Sequence, residues 1–210
     1  MKVIAKNVRL SFNDFFQPKE INGGDPKFSG TFICTDDTQL VFTNGEGKKV
    51  ATKHERMEDI CKHVLKEKFG KVPAKADNWV YNKADGSTTR NEYTNDDGDY
   101  WAGFTPDTWY LSASKKAAQC KNGKLTVVDQ LKEPIEASDG KMISGYYVNA
   151  IIDVYAYDGA TGKGVTASLE GVQLRAKGEP LGVAPIDATD EFDVEEVDAE
   201  EEFGTEDENF

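Results

Sequence analysis

Hydrophobic and polar residues alternate along most of this chain in short segments, which are separated by Gly, Asn, Asp and Pro. Alternation with a period of two is typical of β-strands that bury one face, and the separating residues favour turns. The pattern therefore predicts a mainly β protein. Its strands are expected at residues 3–12, 27–34, 78–82, 108–114, 125–129, 146–157 and 165–177, with a turn at 22–26 and a polar loop at 83–99.

The segment 146–157 shows most clearly which strand face is buried. Every second residue is apolar and is predicted to face the core: Val148, Ala150, Ile152 and Val154. After a turn at 159–164, the apolar phase of the next segment shifts at Glu170-Gly171, which predicts a hairpin with a β-bulge. Because bulges let a sheet curl, these uneven strands favour a partly open, OB-like barrel over a flat sandwich.

One segment departs from the β pattern. Its apolar residues recur at helical spacing: Met57, Ile60, Cys61, Val64 and Leu65. Thr52 and Glu55 have the spacing of a capping box, and Gly70 with Pro73 supplies a stop signal. The sequence therefore predicts one amphipathic helix between these signals.

Charge divides the chain into two parts. Residues 187–210 contain thirteen Asp or Glu and no Lys or Arg, whereas the preceding residues carry 25 acidic and 25 basic side chains. A segment with so much like charge and so little apolar content is expected to be disordered. We therefore expect a domain at 1–186 and a disordered acidic tail at 187–210. The tail's charge and its final Phe suggest competition for a cationic groove and docking onto other proteins, although a merely solubilising tail is the alternative.

Enzyme chemistry has little support in the sequence. The phosphate-binding glycine motifs and the nucleophile elbow are absent. Three cysteines without a C-x-x-C pair argue against a disulfide framework or a zinc site. Asp96, Asp97 and Asp99 have the residue types of a magnesium site, but they also have the composition of an ordinary loop. We expect a non-enzymatic protein with no metal and no cofactor. Without an apolar run that could span a bilayer, a cytoplasmic location with no membrane partner is expected.

Nucleic-acid binding is better supported, because aromatic and basic residues are interleaved. Single strands are bound by aromatic rings that stack on bases and by cations that contact phosphates. In the segment 108–114, alternation predicts that Trp109 faces the core and that Tyr110 faces outward with Ser112 and Ser114. For each aromatic residue, core packing is the alternative. The candidate DNA-binding residues are Lys27, Trp79, Tyr81, Lys83, Arg90, Trp101, Tyr110, Lys115, Lys116 and Tyr147.

Several segments, in order along the chain, carry a family resemblance. They are NGGDPKFSGTFIC, DGDYWAG, TWYLSASKK followed by LTVVD, and SGYYVNAIIDVYAYD followed by GVQLRAKGE. Together with the tail, they resemble the phage single-stranded DNA-binding proteins, which have an OB-type barrel and an acidic tail ending in Phe. The family's basic run after SASKK is interrupted here by Ala117, Ala118 and Gln119.

The resemblance implies a protein that coats single-stranded DNA in phage replication and recombination, inside the infected bacterium. It also implies that the tail recruits the phage DNA polymerase and primase-helicase, with Glu206, Asp207, Glu208 and Phe210 as the partner-binding residues. A homodimer is left open. The alternative functions are an acidic DNA-mimic or chaperone-like interaction protein, and a carbohydrate-binding β-barrel module.

Overall fold

The computed structural model describes residues 1–20, 23–88, 90–160 and 162–182. Within these ranges the chain forms ten β-strands and one α-helix. They are β1 (Lys2–Asn13), β2 (Lys27–Ile33), β3 (Gln39–Thr43), β4 (Lys49–Lys53), α1 (Met57–Phe69), β5 (Asp77–Asn78), β6 (Tyr81–Lys83), β7 (Trp109–Lys116), β8 (Val127–Val128), β9 (Tyr147–Gly159) and β10 (Gly162–Ala176). The predicted tail at 187–210 lies outside the described residues.

The strands form one curled sheet in the order β5-β10-β9-β1-β2-β7-β6. Strand β1 is central, because it pairs with β9 and also with β3 at one end and β2 at the other. The sheet does not close on itself. This architecture is the predicted mainly β, OB-like, partly open barrel with one amphipathic helix.

The predicted hairpin of β9 and β10 is confirmed: the two strands pair, the predicted residues face the core, and the β-bulge is present. The register between the strands breaks between Leu169 and Gly171, at the predicted position. A Cβ atom at Gly171 would lie 3.2 Å from the carbonyl oxygen of Thr126, so a larger residue would need the neighbouring chain to move. The four residues predicted to face the core are all buried, namely Val148, Ala150, Ile152 and Val154.

Helix α1 covers the sheet, mainly at β9, with the predicted apolar face. Met57, Ile60, Cys61, Val64 and Leu65 are all buried. The helix ends as expected at Gly70, whose φ of 73° is in the left-handed region that favours glycine.

The predicted start of the helix is wrong. Thr52 belongs to β4, where it pairs with Leu40, and a 3-10 turn at His54–Arg56 leads into the helix. Because strand pairing fixes Thr52, it cannot act as an N-cap, and no side chain among the described residues caps α1. The β3–β4 hairpin itself was missing from the predicted strands.

Two hydrophobic clusters lie on opposite sides of the sheet. The main core fills the barrel beneath α1. A smaller cluster on the outer face contains Ile33, Ala84, Phe104 and Tyr110, and Leu181 packs against it. It forms because the connection between β6 and β7 folds back over the ends of β2 and β7. No helix among the described residues is long and apolar enough to cross a bilayer.

Candidate nucleic-acid interface

An open groove of about 340 Å³ follows the outer face of β2 and β7. The antiparallel register places Ser29 opposite Ser114 and Thr31 opposite Ser112, and all four side chains line the groove. Small hydroxyl side chains leave room above this part of the sheet and offer hydrogen bonds without selecting a particular ligand shape. The cations that line the groove are Lys19, Lys27 and Arg90.

Trp79 forms one wall of the groove, and 40% of its surface is exposed. Its indole Nε1 donates a hydrogen bond of 2.8 Å to the Tyr157 hydroxyl, and its backbone N donates to the carbonyl of Val165. These contacts fix the position and the tilt of the ring. A fixed, exposed indole is a suitable platform for stacking on a nucleobase.

Arg90 occupies one side of this platform. Its guanidinium lies 5.0 Å from the centre of the Trp79 ring, and its Nη1 donates a 3.3 Å hydrogen bond to the Ser112 hydroxyl. A base that stacks on this face of the indole must therefore displace Arg90, which can move toward a phosphate. Arg90 thus joins the stacking surface to the cationic surface of the groove.

A second exposed aromatic surface consists of Phe12 and Trp101. Their rings meet edge to face at 5.3 Å, with 43% and 41% of their surfaces exposed. The register shift after Leu10 in β1 places Asn13 opposite Gly30, which lines the groove, so this surface lies beside the groove. Phe12 was absent from the predicted site. Its position between Ser11 and Asn13, where the alternation of β1 ends, is the only sequence signal for it.

Ion pairs divide the candidate cations into two groups. Lys27 and Arg90 form no direct ion pair in the part of the chain that the structure describes, although Lys27 is near enough to Asp25 to contribute to the lowered pKa of that carboxyl. The paired lysines are Lys19 with Asp14, Lys83 with Asp85 and Asp107, Lys115 with Glu170, and Lys116 with Asp25. A phosphate must compete with these carboxylates, so the paired lysines contribute less to binding than their number suggests.

The pairing also affects the pKa values of the groups involved. The hydrogen bond to Asp25 raises the pKa of Lys116 and lowers that of Asp25. The Ser87 hydroxyl, followed by Lys83, lowers the pKa of Asp85 to about 2. These pairs therefore stay ionised at neutral pH, and neither lysine is released by a small change in pH.

Two predicted stacking residues are buried. Tyr81 stacks on Trp109 with ring centres 4.5 Å apart, and its hydroxyl lies 2.9 Å from Nδ1 of His54. The prediction that Tyr110 faces solvent is wrong, because the β6–β7 connection covers this face and packs Tyr93 and Phe104 against its ring. Neither tyrosine presents a ring to the groove.

Tyr147 is half-buried on β9, where it pairs with Arg9 of β1 and Ala176 of β10. It is also close to the segment that follows β10, since a Cβ atom at Gly178 would lie 3.1 Å from its ring. It does not line the groove. Of the ten predicted site residues, the structure brings Lys27, Trp79 and Arg90 together as groove-lining residues, with Trp101 beside them.

Tyr110→Phe is expected to leave DNA affinity unchanged and to keep or raise the free energy of unfolding. The Tyr110 hydroxyl is buried and makes no hydrogen bond of standard geometry among the described residues; burial raises its pKa, and the nearby Arg90 only partly offsets that effect. An unsatisfied buried polar group costs about 1 to 3 kcal/mol, so replacing it with hydrogen should remove a cost. Urea unfolding and an oligonucleotide titration of the same preparation check both expectations. A clear loss of DNA affinity in a folded variant would place Tyr110 back in the binding site.

Residues 1–204 match the family described as Enterobacter phage Enc34, ssDNA-binding protein. The chain belongs to this family. The predicted recognition of a phage single-stranded DNA-binding protein is confirmed, and the family consists of binding proteins and not of enzymes. A relative described as putative protein p50, from Acyrthosiphon pisum secondary endosymbiont phage 1, is 32% identical over 204 residues, covering 96% of this chain and 98% of the relative.

Solved structures of the family have the same fold. The single-stranded DNA-binding protein from bacteriophage Enc34, in complex with ssDNA, is 20% identical at a TM-score of 0.59, covering 86% of this chain and 89% of that chain. A second structure of the Enc34 protein gives 19% identity and a TM-score of 0.57, covering 91% and 90%. This similarity supports the OB-like architecture of the family member described here.

No cluster of metal-ligating side chains occurs in the described ranges. Burial raises the pKa of the Cys34 thiol, and it raises the pKa of Cys61 to about 12, so neither supplies a thiolate at neutral pH. Burial likewise lowers the pKa of His54, which contacts Tyr81.

Proposed function

We propose that this protein coats single-stranded DNA during phage replication and recombination in the cytoplasm of the infected bacterium. The observation that carries the proposal is the groove along β2 and β7, which combines the exposed Trp79 ring with the unpaired cations Lys27 and Arg90. Membership of the Enc34 family supports single-stranded DNA as the ligand.

The groove suits binding that tolerates many sequences. Every base has a π-face that can stack on Trp79 or on the Phe12–Trp101 surface, and stacking does not depend on a base's hydrogen-bonding edge. Lys27 and Arg90 would contact phosphates, which are the same in every nucleotide. The serine and threonine hydroxyls between them can accept or donate hydrogen bonds, so they add affinity without a strict code.

A titration of the chain without residues 187–210 tests this function directly. Oligo-dT, oligo-rA and a duplex of equal length are the three ligands, with fluorescence anisotropy as the measurement. We expect oligo-dT to bind most tightly, with a slope of log affinity against log salt of about −0.7 for each phosphate neutralised. Equal binding of duplex and single strand, or binding that ignores salt, would contradict the proposed mode.

The acidic tail would regulate this binding by competing for the groove. Leu181 is held by a 2.9 Å hydrogen bond from its backbone N to the carbonyl of Ser144, and its side chain packs at Gly103, two residues from Trp101. The described chain therefore ends beside the Phe12–Trp101 surface. The 28 residues that follow span up to roughly 95 Å when extended, which is ample to reach the whole groove.

Deleting residues 187–210 is expected to tighten oligo-dT binding, on the order of tenfold at low salt. A flexible tethered competitor has an effective concentration in the millimolar range, and its electrostatic attraction weakens as salt screens the charges. Affinity measured for both chains across a salt series checks this. A full-length control with the thirteen tail acids changed to Asn or Gln should behave like the deletion. If the deletion binds no better at low salt, the tail does not compete.

We also propose that the tail recruits the phage DNA polymerase and primase-helicase. Phe210 would enter an apolar pocket of the partner, and Glu206, Asp207 and Glu208 would face a basic rim. A homodimer stays a prediction, which light scattering of the full chain would decide.

A further inference from the structure

A second basic concavity lies away from the groove, at the bulge of β1. Its lining includes Lys6 and Asn7 of β1, Asn149 of β9 and Arg175 of β10, and its volume is about 590 Å³. Among the described residues that line it, Asp37 is the one acidic residue. We propose that this second basic site binds backbone phosphates of the same DNA strand after the strand leaves the groove. The proposal rests on the proposed function and extends it.

Hydrogen bonds hold the second basic site in one shape. The β1–β9 register shifts between Ala5 and Val8, and Asn7 has a φ of 58°, in the left-handed region. Its carbonyl accepts a 3.1 Å hydrogen bond from the Thr38 hydroxyl, and its backbone N donates to the Asn149 side chain at 3.2 Å. A non-glycine residue in this conformation is uncommon, and the surrounding contacts stabilise it.

The cations of this site are positioned but unpaired. Nη1 of Arg175 donates a hydrogen bond to the side-chain oxygen of Asn7, which orients the guanidinium. Neither Lys6 nor Arg175 has a carboxylate partner among the described residues, in contrast to Lys19, Lys115 and Lys116. A fixed guanidinium beside a free ammonium is well matched to a phosphate, because both donate hydrogen bonds to anionic oxygens.

The location suits a strand that continues from the groove. Asn13 lies opposite Gly30 of the groove, and Asn7 lies six residues earlier on β1, which is about 20 Å at the usual rise per residue. Between the two sites, Arg9 donates hydrogen bonds to the carbonyls of Gly145 and Glu179. The second basic site is therefore separate from the groove, and only a long enough oligonucleotide can contact both.

Oligonucleotide length provides the test. We compare the full chain with its Lys6→Ala/Arg175→Ala variant, using oligo-dT of about 6 nucleotides, near the lower end of the usual range for one OB fold, and of about 30 nucleotides, above that range. The short oligonucleotide should bind both proteins equally. The long one should bind the variant more weakly, on the order of tenfold, with a salt slope shallower by about 1.4 for two lost phosphate contacts.

A matched control removes the same charge elsewhere. Lys66→Ala/Lys71→Ala takes two exposed lysines from the end of α1 and the residues after it, and should bind both lengths like the parent. Lys6→Glu reverses the charge of one exposed side chain, and it repeats the test if the double variant does not fold. The inference is overturned if the Lys6 and Arg175 variants match the control, or if short and long oligonucleotides lose affinity equally. Parent protein that fails to bind either length would instead contradict the proposed function.

Discussion

Replacing both Trp79 and Trp101 with alanine is expected to weaken oligo-dT binding by roughly 2 to 6 kcal/mol, from about 1 to 3 kcal/mol for each lost base stack. Each ring is about two-fifths exposed, at 40% and 41%, and lies outside the main core. The variant should therefore fold. Fluorescence anisotropy gives the affinity, and circular dichroism during thermal unfolding verifies the fold.

Conservative variants separate stacking from other effects of these tryptophans. Trp79→Phe keeps a ring but removes the indole hydrogen bond to Tyr157, so it should keep most of the DNA affinity. Leu131→Ala, at a side chain that is 80% exposed, should change neither stability nor binding. Unchanged affinity in the folded double-alanine variant would mean that DNA binds elsewhere on the barrel.

Trp79→Ala also releases Arg90 from the indole ring, so it affects the contact of Arg90 with phosphate as well as base stacking. In the free protein, its guanidinium is attracted both by the indole ring and by the Ser112 hydroxyl. A cation over an exposed ring gains about 0.5 to 1 kcal/mol, and DNA must offset this when it draws Arg90 toward a phosphate. The measured loss for Trp79→Ala is therefore the stacking energy minus the cost of moving Arg90, and Trp101→Ala lacks this compensation.

The parts of the fold that the sequence predicts best are those with a long, uninterrupted period. The alternation at Val148–Val154 and the helical spacing at Met57–Leu65 each extend over several residues, and each burial pattern is confirmed. The bulge at Gly171 was predictable because a two-residue period can change phase only where an extra residue enters the ladder.

The β3–β4 hairpin was harder to predict, because each of its strands is only five residues long. Strand β4 has no buried residue, so its alternation is weak. The capping-box pattern at Thr52 predicted a helix start at residues that belong to this strand. Pairing with Leu40 decided the outcome, since tertiary context overrides a local capping motif.

The candidate site was predicted in part, and long-range packing explains the remainder. Alternation correctly placed Ser112 and Ser114 on the outer face of β7, but it could not show that the preceding β6–β7 connection folds back over Tyr110. Likewise, the number of lysines indicated a cationic surface, whereas their partners became known only from the fold. Asp25 and Glu170, for example, are far apart in sequence, yet both pair with neighbouring residues of one strand.

Phe210→Ala is expected to reduce the proposed recruitment of the phage DNA polymerase sharply, by about 2 kcal/mol or more if Phe210 is a hot spot of the interface. Phe210 is the terminal residue of the acidic segment and lies beyond the described residues, so this prediction rests on the sequence. The substitution keeps all thirteen tail charges. Affinity for oligo-dT should therefore stay the same, while binding of the purified polymerase to immobilised protein should fall.

The neighbouring residues supply the controls for this docking prediction. Asn209→Ala removes a side chain at the adjacent position and should leave polymerase binding unchanged. Changing Glu206, Asp207 and Glu208 to Gln or Asn should instead slow association and reduce its dependence on salt, because charges at an interface rim act mainly on the rate of encounter. A Phe210→Ala protein that binds the polymerase like the parent would show that charge alone is sufficient for docking, and that the terminal ring has no part in it.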